Sequence, residues 1–227
     1  MLASNFDQAV EYFMILTNAE LAVILEIVLG DDLPLDAAGM RDLGATAEDL
    51  AAARAVLVET GRLVRTGRKT CSVAAPVVDL LAVAFSPKQL LVLQVQDREQ
   101  PPRQISYSRA GAAWVRHTLR APGEHEYTGL ASGDAVADNL LADTHVVSGN
   151  NGAVPAECAP LADVLSRAVS LGLLATGPLP GHDAPPAALS WVAAGDGVWW
   201  INPAGPPETA QRCAVADLKE LLVAMVR

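Results

Sequence analysis

Residues 107–142, YSRAGAAWVRHTLRAPGEHEYTGLASGDAVADNLLA, and residues 191–225, WVAAGDGVWWINPAGPPETAQRCAVADLKELLVAM, carry one pattern twice. Each runs as a strand, a Gly turn, a Trp-bearing strand, a Pro-Gly loop, a third short strand and an amphipathic helix opened by an Asp. From Gly111 to Asp134 is 23 residues and from Gly195 to Asp217 is 22. This shared order predicts a duplicated unit, with chance likeness between Ala-, Val- and Leu-rich segments as the alternative. The expected fold class is α+β: two related halves of antiparallel β-meanders with flanking helices, able to pair about a pseudo-twofold axis.

The two copies differ on their faces. Polar residues mark one side of the first meander. In the second, Leu189, Trp191 and Ala193 alternate with Ser190, Val192 and Ala194, and Val198-Trp199-Trp200-Ile201 is apolar on both sides. A strand apolar on both faces must be covered twice, by the chain's own helices or by another chain. The second possibility makes Trp191, Trp199 and Trp200 candidate residues for binding another protein or a second copy of the chain as a homodimer, with Trp199 or Trp200 facing the partner as an interface anchor.

Upstream, Thr17-Asn-Ala-Glu20 is a capping box, with Leu16 and Leu21 placed to close a hydrophobic staple. Leu21, Ile24, Leu25, Val28 and Leu29 follow at helical spacing to Gly30. Thr46-Ala-Glu-Asp49 opens a second helix with Leu50, Ala53, Leu57 and Val58 on one side, ending at Gly61. Leu63–Arg65 and Thr70–Val73 then form a hairpin. Helix, helix, hairpin is the order of a winged-helix unit. That order raises the alternative of nucleic-acid binding through the basic hairpin 61–73, with Arg62, Arg65, Arg68 and Lys69 as contacts. The helix that would enter a groove argues against it: Arg54 is its only base, against Glu48, Asp49 and Glu59.

A third helix is expected from Ala75, with Pro76 in its first turn and Val77, Leu80, Leu81 and Ala84 on one face, broken at Ser86-Pro87. Leu91, Leu93 and Val95 alternate with Val92, Gln94 and Gln96 as a strand, continuing into the first meander, which turns at Ala110-Gly111. Residues 143–156, DTHVVSGNNGAVPA, have loop composition, so the halves divide as 1–145 and 146–227, in one two-lobed domain. Pro160–Leu171 returns to helical spacing up to Gly172, TGPLPGHDAPP reads as a loop, and the second meander starts at Leu189.

With 227 residues, 51% hydrophobic and 19% charged, the chain is globular and can bury roughly 70% of its unfolded surface. Its net charge of −10 is uneven: residues 1–60 hold eleven acids and two bases, whereas 61–69 hold four bases and no acid. Such a surface repels phosphate backbones and anionic membranes. Three scattered cysteines without a CxxC, no basic leader and no apolar run long enough to span a bilayer suggest a reducing cytoplasm.

Chemistry-bearing motifs are missing. Four histidines are spread through the chain, and Glu124-His125-Glu126, the one charged cluster around any of them, reads as a solvated loop. No GxSxG occurs, Gly149-Asn-Asn-Gly152 lacks the Lys of a phosphate loop, and no GxGxxG follows a strand. No metal or cofactor is expected, and no enzymatic activity.

The order of parts resembles a known family. Leu16-Thr17-Asn-Ala-Glu20-Leu21, a helical stretch ending in Gly61-Arg62-Leu63-Val64, a small hairpin and meander-plus-helix units in two halves are similar to the EspG family of type VII secretion-associated proteins. That resemblance implies a cytoplasmic chaperone with a two-lobed, pseudo-twofold α+β fold that binds secreted helical substrate pairs. It assigns no binding residue, because the second half lacks the helix-and-hairpin preface of the first.

Overall fold

Alternation builds the sheet. In β4 (Gln89–Asp97), Leu91, Leu93 and Val95 are buried while Gln94 and Gln96 between them are exposed, as a strand with one covered face requires. The meander continues through β5 (Arg103–Ala110), β6 (Ala113–Ala121) and β7 (Glu124–Leu130), with Trp114 buried on one face and Ala113 and Val115 on the other, and it turns at Gly111 and Gly123, both at positive φ. Its counterpart is β9 (Ala168–Thr176), β10 (Ala188–Ala194), β11 (Gly197–Ile201) and β12 (Thr209–Cys213). A computed structural model of the chain describes residues 12–29, 45–67, 70–146, 157–177, 187–201 and 208–227.

These strands join β1 (Phe13–Thr17) and β8 (Cys158–Pro160) in one ten-stranded antiparallel sheet ordered β1-β7-β6-β5-β4-β9-β10-β11-β12-β8. The order reads alike from both edges. Beginning at the β4–β9 seam, each half places three further strands of its meander and then an earlier strand on the outside. Leu91 to Asp97 pair with Thr176 to Ser170 across that seam, so the sheet is continuous past the expected division at 145/146.

Helices cover the two faces unequally. On one face lie α4 (Gly133–Asp143) and α6 (Val215–Val226), which follow β7 and β12 and pack on each other. They bury Leu91, Leu93, Ile105, Leu174, Trp191 and Val198 with Leu140 and Leu222. Donors from β4 and β5 hold the orphan carbonyls where both helices end. Arg103 donates to Asp143 O (2.9 Å), Gln89 to Met225 O (3.2 Å), and Arg109 to the carbonyls of Val226 and Arg227 (both 3.3 Å).

On the opposite face, the first half carries α1 (Asn18–Leu29), α2 (Ala47–Glu59) stacked on it, the hairpin of β2 (Leu63–Arg65) and β3 (Cys71–Val73), and α3 (Ala75–Phe85). Both capping boxes form. Glu20 accepts from Thr17 N (2.8 Å) and returns its own N–H to Thr17 Oγ1 (3.2 Å); Thr46 and Asp49 repeat the exchange. The Thr46 hydrogen bonds hold the Asp49 carboxyl below its ordinary range. In α1, Leu21, Val23, Ile24 and Leu25 are buried and Val28 is 45% exposed. The buried side is thus set by the sheet below and α2 beside it rather than by the single stripe expected.

Among the described residues the second half offers only α5 (Leu161–Ser166) to that face, over a small core of Val164, Val192, Trp199 and Ala210. Here the expected helix Pro160–Leu171 is corrected: it ends at Ser166, and Ala168 begins β9. Gly172 does not stop a helix. It pairs with Trp191, and a Cβ on it would stand 2.6 Å from Trp191 Cε2 and 2.9 Å from Thr144 Cγ2, so the indole needs a bare strand to lie across. β1 was also not anticipated; its FMILT is too short to show a period apart from the partner strand it needs. Residues 147–156 and 178–186, read as loops, lie outside the described residues.

Candidate partner-binding surface

The unequal cover leaves the centre of one sheet face bare. α3 sits over β5 and β6 and α5 over β8, β10 and β12; among the described residues no helix spans the seam between them. Because alternate residues face alternate sides, β4 presents Leu90, Val92, Gln94 and Gln96 there, and β9 presents Val169, Leu171, Leu173 and Ala175. The register sets them in rows: Gln104–Gln94–Leu173–Ser190 in one, Ser106–Val92–Ala175–Ala188 in the next. All eight are exposed or partly exposed, with Leu171 packing in part against the core under α5 and Val169 at the end of β9 47% exposed.

The strip contains no charged residue, although the chain as a whole carries −10. Short aliphatic side chains and unionised amides and hydroxyls desolvate at little cost, so a surface of this kind can be buried by a partner without stranding a charge. Gln96 spends its amide on Asp97 O (3.0 Å), leaving Gln94 and Gln104 opposite each other at the centre.

The other face of the seam is locked. Arg116 forks onto Asp143 (2.6 and 3.0 Å) and reaches Glu126 (3.0 Å), and Tyr107 Oη donates to Asp143 (2.6 Å). Burial opposes the Arg116 charge, but the Asp143 contacts override it and raise its pKa; burial and the Asp143 carboxylate push the Tyr107 phenol well above its ordinary value. Arg103 ties Asp97 (3.0 Å), and the Trp191 indole N–H donates to Thr144 Oγ1 (2.9 Å), joining a second-half strand to the end of a first-half helix. Burial works against the Asp97 charge, yet Ser170 and Arg103 hold its pKa below the ordinary value. These contacts tie the two halves together as a clasp, in which Asp97 Oδ1, 3.4 Å from His145 Nε2, and Ser170 Oγ are buried without a hydrogen-bond partner among the described residues.

The tryptophans expected to meet a partner lie mostly inside. Trp191 and Trp199 are fully buried, Trp199 beneath the Arg167 guanidinium (4.9 Å from the ring centre) with its N–H on Asp196 (3.3 Å). The doubly apolar hairpin is covered by the chain's own helices, α4 and α6 on one side and α5 on the other. Trp200 alone stays half-exposed, and its indole N–H has no acceptor among the described residues.

Of the four bases expected on the hairpin, Arg62 and Arg65 are among the described residues. Arg62 is engaged inward, donating to Ile15 O (2.9 Å) near Glu20 (3.7 Å). Arg65 is exposed, and Arg68 and Lys69 lie outside the described residues.

Glu124-His125-Glu126 is not a solvated loop but part of β7. His125 sits between a stacked His117 (Nε2 to Nδ1, 3.0 Å) and Asn18 Oδ1 (2.9 Å), with His117 stacked in turn on Tyr127 at 4.6 Å. If Asn18 Oδ1 accepts from His125 Nε2–H, His125 Nδ1 is free to accept from His117, a chain that requires the His125 ring to be neutral. Burial, His125 and Arg116 lower the His117 pKa to about 4.

Sequence reasoning missed the bare strip because half of it lies on β9, hidden in a segment that keeps helical spacing as far as Ala168. The signal was the alternation of small Ser170 and Gly172 with Leu171 and Leu173.

No protein-family model matches the sequence, and no curated protein matches it. Its fold is shared with a solved structure, the Mycobacterium tuberculosis type VII secretion system chaperone EspG5 in complex with a PE25–PPE41 dimer. The superposition covers 95% of this chain and 94% of that one, with a TM-score of 0.59 and 12% identity.

Proposed function

We propose that this protein, with the fold of a type VII secretion chaperone, is a non-catalytic cytoplasmic chaperone that binds a secreted helical protein pair across the bare centre of its sheet. The observation that carries the proposal is the uncharged, half-exposed strip at the β4–β9 seam, on a chain otherwise rich in acids. EspG5 holds a PE25–PPE41 dimer, and a partner of that kind is the one proposed here. Two halves related by a pseudo-twofold axis suit this role, since their seam supplies a broad surface that neither half covers. Among the described residues no helix is long and apolar enough to cross a membrane.

The test is complex formation between the purified full chain and a PE–PPE-type pair, followed by light scattering coupled to gel filtration. Leu173→Glu places a charge at the centre of the strip and should abolish co-elution while leaving the monomer folded. Unchanged capture by that variant, or no capture by the wild type of any such pair, overturns the proposal.

A smaller role follows for the one tryptophan left half-exposed. Trp200, on the face opposite the strip, has its indole nitrogen buried and offers only the exposed part of its ring as an accessory contact. Trp200→Phe should then weaken capture without abolishing it.

A further inference from the structure

Antiparallel pairing turns the backbone groups of alternate residues to opposite sides of a strand. In β1, Gly129 N–H donates to Tyr12 O (2.8 Å) and Asn18 N–H to Gly123 O (2.9 Å). Residues 12, 14, 16 and 18 therefore face β7, and Phe13, Ile15 and Thr17 turn their N–H and C=O groups outward. β1 ends the sheet order, and among the described residues no strand pairs with that outer edge.

Such an edge is a template for strand addition. The far edge is blunted by length and composition, since β8 has three residues and ends in Pro160. β1 has five, FMILT, without a charge or a proline, and Phe13 is 57% exposed. What occupies it instead is a side-chain plug. The Arg62 guanidinium donates to Ile15 O (2.9 Å), the Glu20 carboxylate accepts from Thr17 N–H (2.8 Å), and the two charges stand 3.7 Å apart. Two of the outward backbone groups are thereby taken, by residues from the β2 approach and from α1.

We infer that Arg62, braced by Glu20, is an edge guard that keeps β1 from pairing with β1 of a second copy of this chain. The edge is self-complementary: about a twofold axis Ile15 faces its own copy and Phe13 faces Thr17, an isologous contact that brings no like charges into register. A second copy is thus the occupant the edge fits when unguarded. This role is independent of the strip at the seam and accounts for Arg62 without a nucleic acid.

The test measures solution mass against concentration for the full chain, with thermal unfolding to confirm that each variant folds. Wild type should remain at the mass of one chain. Arg62→Met keeps the apolar stem but loses every donor, and its mass should rise to that of two chains. Adding Phe13→Lys to that variant puts a lysine on the edge strand, the device by which natural edges resist pairing, and should restore the single-chain mass. Glu20→Gln preserves the bond to Thr17 while removing the brace, and should associate only at higher concentration. It also serves if Arg62→Met fails to fold. A folded Arg62→Met that stays monomeric, association that Phe13→Lys does not reverse, or a Glu20→Gln indistinguishable from wild type when it is the only folded variant, overturns the inference.

Discussion

Among the described residues, the first half buries one sheet face under three helices and a hairpin, whereas the second half covers the corresponding face with the six residues of α5. Both halves bury their other face in the same way, under α4 and α6. A shared architecture has therefore been finished unequally. The first half fills its core with many aliphatic side chains, Met14, Leu16, Ile24, Leu57 and Leu80 among them; the second relies on one large ring, Trp199, held under α5 and Arg167. The bare strip lies where one covering stops and the other has not begun.

This contrast can be broken most directly at Trp199. Trp199→Ala removes the main side chain of the smaller core and should destabilise the protein by about 3–5 kcal/mol in denaturant unfolding, the range for large-to-small aromatic truncation. A loss near zero would mean that α5 covers nothing of consequence.

The first half has its own weak point, in acid. His117 has its folded pKa lowered to about 4 from 6.5, so the unfolded state binds the proton first. Its contribution is complete above pH 6.5 and is lost as pH falls through that value toward 4, up to about 3 kcal/mol for a shift of this size. Stability measured from pH 7 to pH 4 should fall less steeply in His117→Phe, which keeps the stack on Tyr127 without the titrating group.

At the seam, Gly172→Ala introduces a Cβ at 2.6 Å from the Trp191 ring and 2.9 Å from Thr144. Overpacking of this kind costs about 1–3 kcal/mol, and it should also shift the near-ultraviolet signal of Trp191. The smallest effect is expected on the strip itself. Leu173→Glu is half-exposed and should change stability by about 0.5 kcal/mol or less while acting on partner capture, which separates a binding surface from a folding one.

Period-two alternation was visible in β4, and the capping box at Thr17 and the N-cap at Thr46 could each be read from four residues, because these signals are local. The Gly-to-Asp spacing of the two repeated stretches foretold matching meanders for the same reason. β1 and β9 were not legible. Five residues of FMILT acquire a strand's identity only from β7 beside them, and the segment after Pro160 keeps helical spacing to Ala168 although the chain turns to strand there. The tryptophans show the limit most plainly: composition said that Val198–Ile201 needed cover on both sides, and only packing decided that α4, α6 and α5 supply it.

The amino-acid order alone thus determined the class of fold, the starts of the early helices and the acidic balance of the chain, each dictated by short-range geometry and charge. The tertiary structure decided which apolar faces stay bare, because exposure depends on what other segments leave uncovered. It likewise turned Arg62 from a candidate contact on a basic hairpin into a group committed to the edge of the sheet, a partnership across 47 residues that no local pattern records.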